Sequence, residues 1–163
     1  LKKESINIPD FLFNILNMFP QEKSRLKIIY ADNLLIPNSS NIKDLMIKVD
    51  KIKFTIVIRN IIDNAIKYSN VDDAIEIYIK KDNLNTTFQI KDYGIGIPED
   101  EINNITKPFY RIKSNAKKSG FGLGLTICKK VIEAHNGKLV IAKNKNSTGS
   151  VFSIIIWFFI VML

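Results

Sequence analysis

The sequence predicts a two-layer α/β sandwich, one mixed sheet with helices packed on a single face. Three observations predict it. Two stretches carry apolar residues at helical spacing: Phe54, Ile58, Ile61, Ile62 and Ala65 in one, and Leu125, Ile127, Cys128, Val131 and Ile132 in the other. Between them two runs alternate as half-buried strands do, Ile75, Ile77, Ile79 and then Phe88, Ile90. Apolar runs at residues 139–142 and 151–156 complete the strands.

In chain order, Phe11, Leu12, Ile15, Leu16, Met18 and Phe19 read as a first helix, with Asp10 as its cap and Pro20 ending the run. Residues 26–31 form a short β-rich run, and residues 34–41 a turn-rich connection. Asp50 is placed to cap a long helix from Lys51 to about Tyr68. Residues 74–80 and 86–91, with Asn83 between them, make a hairpin that feeds Asp92-Tyr-Gly-Ile-Gly-Ile-Pro98. A polar, lysine-rich segment at about 107–119 is long enough to be a mobile lid. The last helix ends at His135-Asn136-Gly137, where Gly137 is expected as a left-handed cap.

A chain of 163 residues fits one domain, expected over residues 1–156, with 157–163 as an apolar overhang. The run from Val151 to Leu163 is short of the roughly 20 residues a membrane-spanning helix needs, so it reads as a buried strand plus that overhang. No signal-peptide pattern opens the sequence, because Leu1-Lys-Lys-Glu leads into mixed polar residues. Cys128 is the one cysteine, so no internal disulfide forms, and its place in an apolar helical pattern marks a buried structural thiol. The net charge of +8 invites a nucleic-acid reading. The lysines, however, are spread along the chain with no stacked aromatics beside them, so no nucleic-acid partner is expected.

Four segments carry chemistry. In Gly120-Phe-Gly122-Leu-Gly124-Leu125 glycines at every second position run into a helix, whose first free N–H groups favour an anion. The spacing is wrong for a dinucleotide fingerprint, and the lysine of a P-loop is missing. On the long helix Asn60, Asn64, Lys67 and Tyr68 lie on or near one face. Amide oxygens there suit Mg²⁺ and a lysine suits phosphates; taken alone, the same residues read equally well as a solvated helix face. Asp92, beside Gly94 and Gly96, could accept a hydrogen bond from the exocyclic amine of adenine and would repel the carbonyl oxygen of guanine. By itself that segment reads better as a plain Asp-x-Gly turn. Arg111, among aromatics in Lys107-Pro-Phe109-Tyr110-Arg111, could reach phosphate oxygens or pair with another domain.

In this order and spacing the segments resemble the ATP-binding domain of sensor histidine kinases, within the superfamily of type II topoisomerases, heat-shock chaperones and mismatch-repair ATPases. Asn60-Ile-Ile-Asp-Asn64-Ala-Ile-Lys67-Tyr68-Ser69 resembles the family's asparagine box, and Asp92-Tyr-Gly94-Ile-Gly96-Ile97-Pro98 its first glycine box. Pro108-Phe109-Tyr110-Arg111 resembles its phenylalanine box, and Gly120-Phe-Gly122-Leu123-Gly124-Leu125 its second glycine box. Glu133-Ala-His135-Asn-Gly137-Lys and Gly149-Ser150-Val-Phe152 are similar to its closing strands.

The resemblance implies an α+β (Bergerat) fold, a mixed, mostly antiparallel sheet with about three helices on one face. It implies ATP and Mg²⁺ as cofactors and protein-histidine kinase activity, in which the γ-phosphoryl group passes to a histidine on a separate dimerisation domain. By position, Asn64 would hold the metal with Asn60 assisting, Lys67 and Tyr68 would contact phosphates, and Asp92 would take the adenine amine. Gly94, Gly96, Ile97, Phe109, Gly120, Gly122, Leu123, Gly124 and Leu125 would complete the nucleotide site. Asn60, Lys67 and Arg111 are the implied catalytic residues; Lys113, Lys117 and Lys118 read as solvated lid lysines. The implied partners are the dimerisation domain and a downstream response regulator, at the cytoplasmic face of the cell membrane and tied to it only through upstream segments. The alternatives are an ATP-hydrolysing module of the superfamily, or a regulatory nucleotide-binding domain without transfer activity. Asn60 argues against hydrolysis, since an amide cannot act as a general base. Two departures from the family pattern are Phe121, where a small residue is common, and the tail after Ile156. The one histidine, His135, sits beside a helix end and reads as structural, so the chain would carry no phosphoacceptor of its own.

Overall fold

The computed structural model describes residues 1–37, 45–112, 120–145 and 148–158. In chain order its elements are β1 (Glu4–Asn7), α1 (Ile8–Leu16), β2 (Leu26–Tyr30), β3 (Asn33–Leu35), β4 (Met46–Val49) and α2 (Lys51–Tyr68). There follow β5 (Ile75–Lys81), β6 (Asn85–Lys91), a 3-10 turn at Glu99–Glu101, α3 (Gly124–Ala134), β7 (Gly137–Lys143) and β8 (Ser150–Trp157). The main sheet has six strands in the order β3-β2-β5-β6-β8-β7, and β1 pairs with β4 in a separate two-stranded ribbon. Only β2 and β5 run parallel among the described strands; every other pair is antiparallel. This is the predicted mixed sheet with helices on one face.

Period-two patterning makes the sheet two-faced. Ile75, Ile77 and Ile79 on β5, Phe88 and Ile90 on β6, and Phe152, Ile154 and Ile156 on β8 all turn inward and are buried. Against them α1 buries Phe11, Leu12, Ile15 and Leu16, α2 buries Phe54, Val57, Ile58, Ile61, Ile62 and Ala65, and α3 buries Cys128 and Ile132. Phe54 is the junction: its ring stacks on Phe11 at 5.8 Å and meets Phe88 edge-on at 5.3 Å. Burial pushes the Cys128 thiol up to about 12, and its Sγ lies 3.7 Å from the Val57 carbonyl, so it is the structural thiol expected.

Several expectations need correction. Asn7, not Asp10, caps α1: its side chain accepts the Asp10 N–H at 3.0 Å, because Pro9 in the first turn lacks a donor and the helix starts before it. That helix also stops at Leu16, short of Pro20. Part of the expected 34–41 connection is β3, an edge hairpin on β2; residues 38–41 lie outside the described residues. The ribbon β1–β4 has no counterpart in the sequence reading, since four-residue strands with long-range partners leave little periodicity to detect. At the end of α3 the left-handed residue is Asn136 (φ 57°), not Gly137. Gly137 instead opens β7, where a Cβ would come within 2.5 Å of the Ile155 carbonyl oxygen. At the other end β8 runs through Trp157, and the Phe158 N–H donates to the Leu84 carbonyl at 2.8 Å. The first residue of the expected overhang, Trp157, is thus in the sheet and the second is hydrogen-bonded beside it; 159–163 lie outside the described residues.

His135 is 1% exposed and ties the start of α2 to the end of α3. Its Nε2 accepts the Asp50 N–H at 2.9 Å, and Nδ1 lies 2.7 Å from the Val131 carbonyl, a pattern that requires the neutral ring protonated on Nδ1. Burial, the largest influence, draws its pKa below 6.5. The unfolded chain therefore takes up this proton first as pH falls. The stability it confers is complete above about pH 6.5 and is lost as pH drops through the lower folded value. The urea midpoint is expected to fall between pH 7.5 and about 5.5, with a weaker slope in His135→Gln. Identical slopes would remove the assignment.

Candidate nucleotide site

The site is built on the open side of α2. Asp50 caps that helix by accepting the Lys53 N–H at 3.1 Å, and the apolar stripe from Phe54 to Ala65 presses one face on the sheet. The other face then presents Asn60, Asp63, Asn64, Lys67 and Tyr68 to a cavity of about 480 Å³, within the size range of small-molecule sites. Lys67 leans back over the Tyr68 ring, 5.1 Å from its centroid, with its Nζ at the level of Gly120.

The segment after β6 closes one end. The Ile95 N–H donates to the Tyr68 carbonyl at 3.1 Å, joining it to the last turn of α2. A Cβ on Gly94 would lie 2.1 Å from that carbonyl oxygen, so glycine is what permits the approach. Asp92 is 3% exposed. Its Oδ1 accepts the N–H groups of Gly94 (3.0 Å) and Ser150 (3.1 Å), while its Oδ2 takes no protein hydrogen bond among the described residues. Burial, acting more strongly than these two bonds, raises the pKa of this carboxyl. Asp92 lines the cavity, as do the apolar side chains of Ile97, Ile105 and Phe152, which suit a flat apolar ring.

The glycine run closes the other end. Gly122 has φ 72°, and a Cβ there would sit 2.7 Å from the Tyr110 carbonyl oxygen, so neither its conformation nor its surroundings admit a side chain. The Phe109 N–H donates to the Gly122 carbonyl at 3.0 Å, which places Tyr110 and Arg111 on the cavity wall. Tyr110 is fixed in turn by a hydrogen bond from its hydroxyl to Glu101. At Gly124, the first residue of α3, no side chain among the described residues caps the helix, and Asn60 of α2 lies opposite. The first N–H groups of α3 are therefore available to an anion.

One cavity thus brings together Asn60, Asn64, Lys67, Tyr68, Asp92, Gly96, Ile97, Arg111, Gly120, Gly122, Leu123, Gly124 and Leu125. Gly94 and Phe109 do not line it. Gly94 is spent on the contact with Tyr68, and Phe109, at φ 62° and 74% exposed, turns to the surface. Lys113, Lys117 and Lys118 and most of the expected lid lie outside the described residues. The sequence did not mark Asp63, Ile105, Tyr110, Ile112, Phe121, Ile127, Ser150 or Phe152 as site residues. Asp63 had a signal, three residues after Asn60 on the same helical face. Ser150 and Phe152 had none, because nothing local shows that the inner face of β8 borders a cavity.

Among the described residues no cluster of histidine, cysteine or acidic side chains could hold a metal ion by itself. The amide oxygens of Asn60 and Asn64 fit a hard cation that borrows its other ligands from phosphates and water.

A model of the family described as histidine kinase-, DNA gyrase B- and HSP90-like ATPase matches residues 49–159. Over 143 residues the chain is 36% identical to the sensor protein kinase WalK of Staphylococcus aureus, which takes in 85% of this chain. The chain spans 32% of that relative's length. Among solved structures, the catalytic domain of the histidine kinase ThkA superposes with a TM-score of 0.77 at 25% identity, covering 96% of each chain. ThkA in complex with the response regulator TrrA gives 0.72 at 24% identity, over 95% of this chain and 41% of that one.

Proposed function

This chain belongs to the family of histidine kinase-, DNA gyrase B- and HSP90-like ATPases, and we propose that it is the catalytic ATP-binding domain of a sensor histidine kinase. The observation that carries this reading is the single cavity into which four separate segments converge, with Asp92 at one end and the start of α3 at the other. The likeness to WalK and to the ThkA catalytic domain supports the kinase over other members of the family.

Asp92 Oδ2 accepts the adenine amine, and Ile97, Ile105 and Phe152 exclude water around the base. Asn64, assisted by Asn60, holds Mg²⁺. The metal neutralises phosphate charge when bound. Lys67 and Arg111 hold phosphate oxygens, and the N–H groups that open α3 hold the far end of the chain of phosphates. All of these act by positioning and by electrostatics, the main resources of phosphoryl-transfer catalysts. Asn60 has no basic atom to take a proton from water, which favours transfer to a protein acceptor over hydrolysis. The acceptor is a histidine on the kinase's dimerisation domain, since His135 is buried with both ring nitrogens engaged. A response regulator then receives the phosphoryl group. The domain works at the cytoplasmic face of the membrane; among the described residues no helix is long and apolar enough to cross it.

Supplying an acceptor domain in trans with γ-labelled ATP and Mg²⁺ is expected to yield acid-labile phosphohistidine on the acceptor and slow steady-state turnover of ATP alone. Rapid turnover without an acceptor would favour the hydrolase reading. Nucleotide binding with no labelled acceptor would favour a regulatory domain.

A further inference from the structure

The β7–β8 hairpin holds side chains that the mechanism above does not use. Asn144, just beyond β7, is 3% exposed. Its Nδ2 donates to the main-chain carbonyl of Asp92 at 3.0 Å, and its N–H donates to the Gly149 carbonyl at 2.8 Å. From the other arm the Thr148 hydroxyl donates to the Gly94 carbonyl at 2.7 Å. The Asp92 N–H donates to the Ser150 carbonyl at 2.9 Å. The fit has no slack: a Cβ on Gly149 would lie 2.0 Å from the Asp92 carbonyl oxygen. One on Gly96 would lie 1.9 Å from the Thr148 carbonyl oxygen.

Lys91 and Val151 are the last full ladder pair between β6 and β8; one residue on, the Asp92 N–H still donates to the Ser150 carbonyl, but the Ser150 N–H goes to Asp92 Oδ1 and not to the Asp92 carbonyl. We propose that Asn144 is a positioning residue for Asp92: by holding the Asp92 carbonyl where the ladder ends, it sets the direction of Oδ2 and thereby the cavity's selectivity for a base bearing an exocyclic amine. The inference rests on the reading of Asp92 as the base contact. The Asn144 side-chain amide stands in for the main-chain donor that the Asp92 carbonyl would otherwise have from Ser150, and the Thr148 hydroxyl holds the Gly94 carbonyl in the following turn. Without Asn144 the Asp92 carbonyl loses its donor and the peptide after Asp92 is held less firmly, and a hydrogen bond weakens steeply once its angle departs from linear. Contacts to phosphate, made by α2, Arg111 and the start of α3, are untouched.

Titration calorimetry with ATP and with inosine triphosphate tests this, since inosine carries a carbonyl oxygen where adenine carries its amine. Asn144→Ala is expected to weaken ATP about tenfold and inosine triphosphate less than about threefold, so that the ratio of the two affinities contracts. Thr148→Val, which keeps the β-branched shape, is expected to move the ratio in the same direction by less. Equal losses for both nucleotides, or an unchanged ratio, overturn the proposal, because a merely structural role would lower both alike. If Asn144→Ala does not fold, the ratio in Thr148→Val decides. A parent chain that binds inosine triphosphate as tightly as ATP overturns the reading of Asp92 itself. A parent that discriminates, with variants that discriminate equally, overturns only the role of Asn144.

Discussion

Asp92→Asn is expected to weaken ATP about 10- to 150-fold while leaving the chain folded, the range for one hydrogen bond to a charged group. The geometry makes the substitution sharper than an ordinary loss of charge. Two backbone N–H groups, of Gly94 and Ser150, hold Oδ1. An asparagine must keep its carbonyl oxygen facing them, which turns its NH₂ toward the cavity. Donor then meets donor at the adenine amine, and a base with a carbonyl at that place gains a partner. Inosine triphosphate should therefore lose less than ATP, or bind more tightly than it does to the parent. Calorimetry with both nucleotides checks this; an ATP affinity equal to the parent's would put base recognition elsewhere.

Asn64→Ala is expected to weaken nucleotide by about 100-fold or more in the presence of Mg²⁺, beyond the ~10- to 100-fold typical of losing a partner outside the first coordination shell. Asn64 lines the cavity from the C-terminal part of α2, and alanine is the best helix former, so the scaffold should not suffer. In excess chelator the parent should bind weakly and the variant equally so, because the difference is carried by the metal. A gap between them that persists in chelator would mean that Asn64 touches the nucleotide directly. Equal affinities with Mg²⁺ present would remove the metal role.

The elements that the sequence showed clearly were those whose side chains repeat. Phe54 to Ala65 at helical spacing and Ile75 to Ile79 at alternate positions appear in the structure as α2 and β5. Asp50 could be read as a cap because capping is local, an oxygen three residues from the N–H it accepts. Elements whose cause is distant were not legible. The ribbon of β1 and β4 joins residues about forty positions apart. Gly137 was read by its conformational freedom, yet its place is set by the Ile155 carbonyl of a neighbouring strand.

The candidate site divides in the same way. Asn60, Asn64 and Lys67 share a helical face by arithmetic, and a glycine run entering a helix announces an anion site wherever it occurs. Whether Asp92 was a recognition group or a turn residue could not be read locally, because Asp-x-Gly serves both. How Asp92 is held depends on the hairpin, where Ser150 engages Oδ1 and Asn144 the main-chain carbonyl, both more than fifty residues away. Sequence alone determined the chemistry on offer here: amide oxygens, a lysine, a carboxylate and a helix start, each tied to a local pattern. Tertiary structure alone decided that these groups share one cavity, that Gly94 and Phe109 stand outside it, and that two backbone N–H groups hold one oxygen of Asp92. Local patterns repeat along a single segment, whereas a cavity exists only where segments distant in the chain pack against one another.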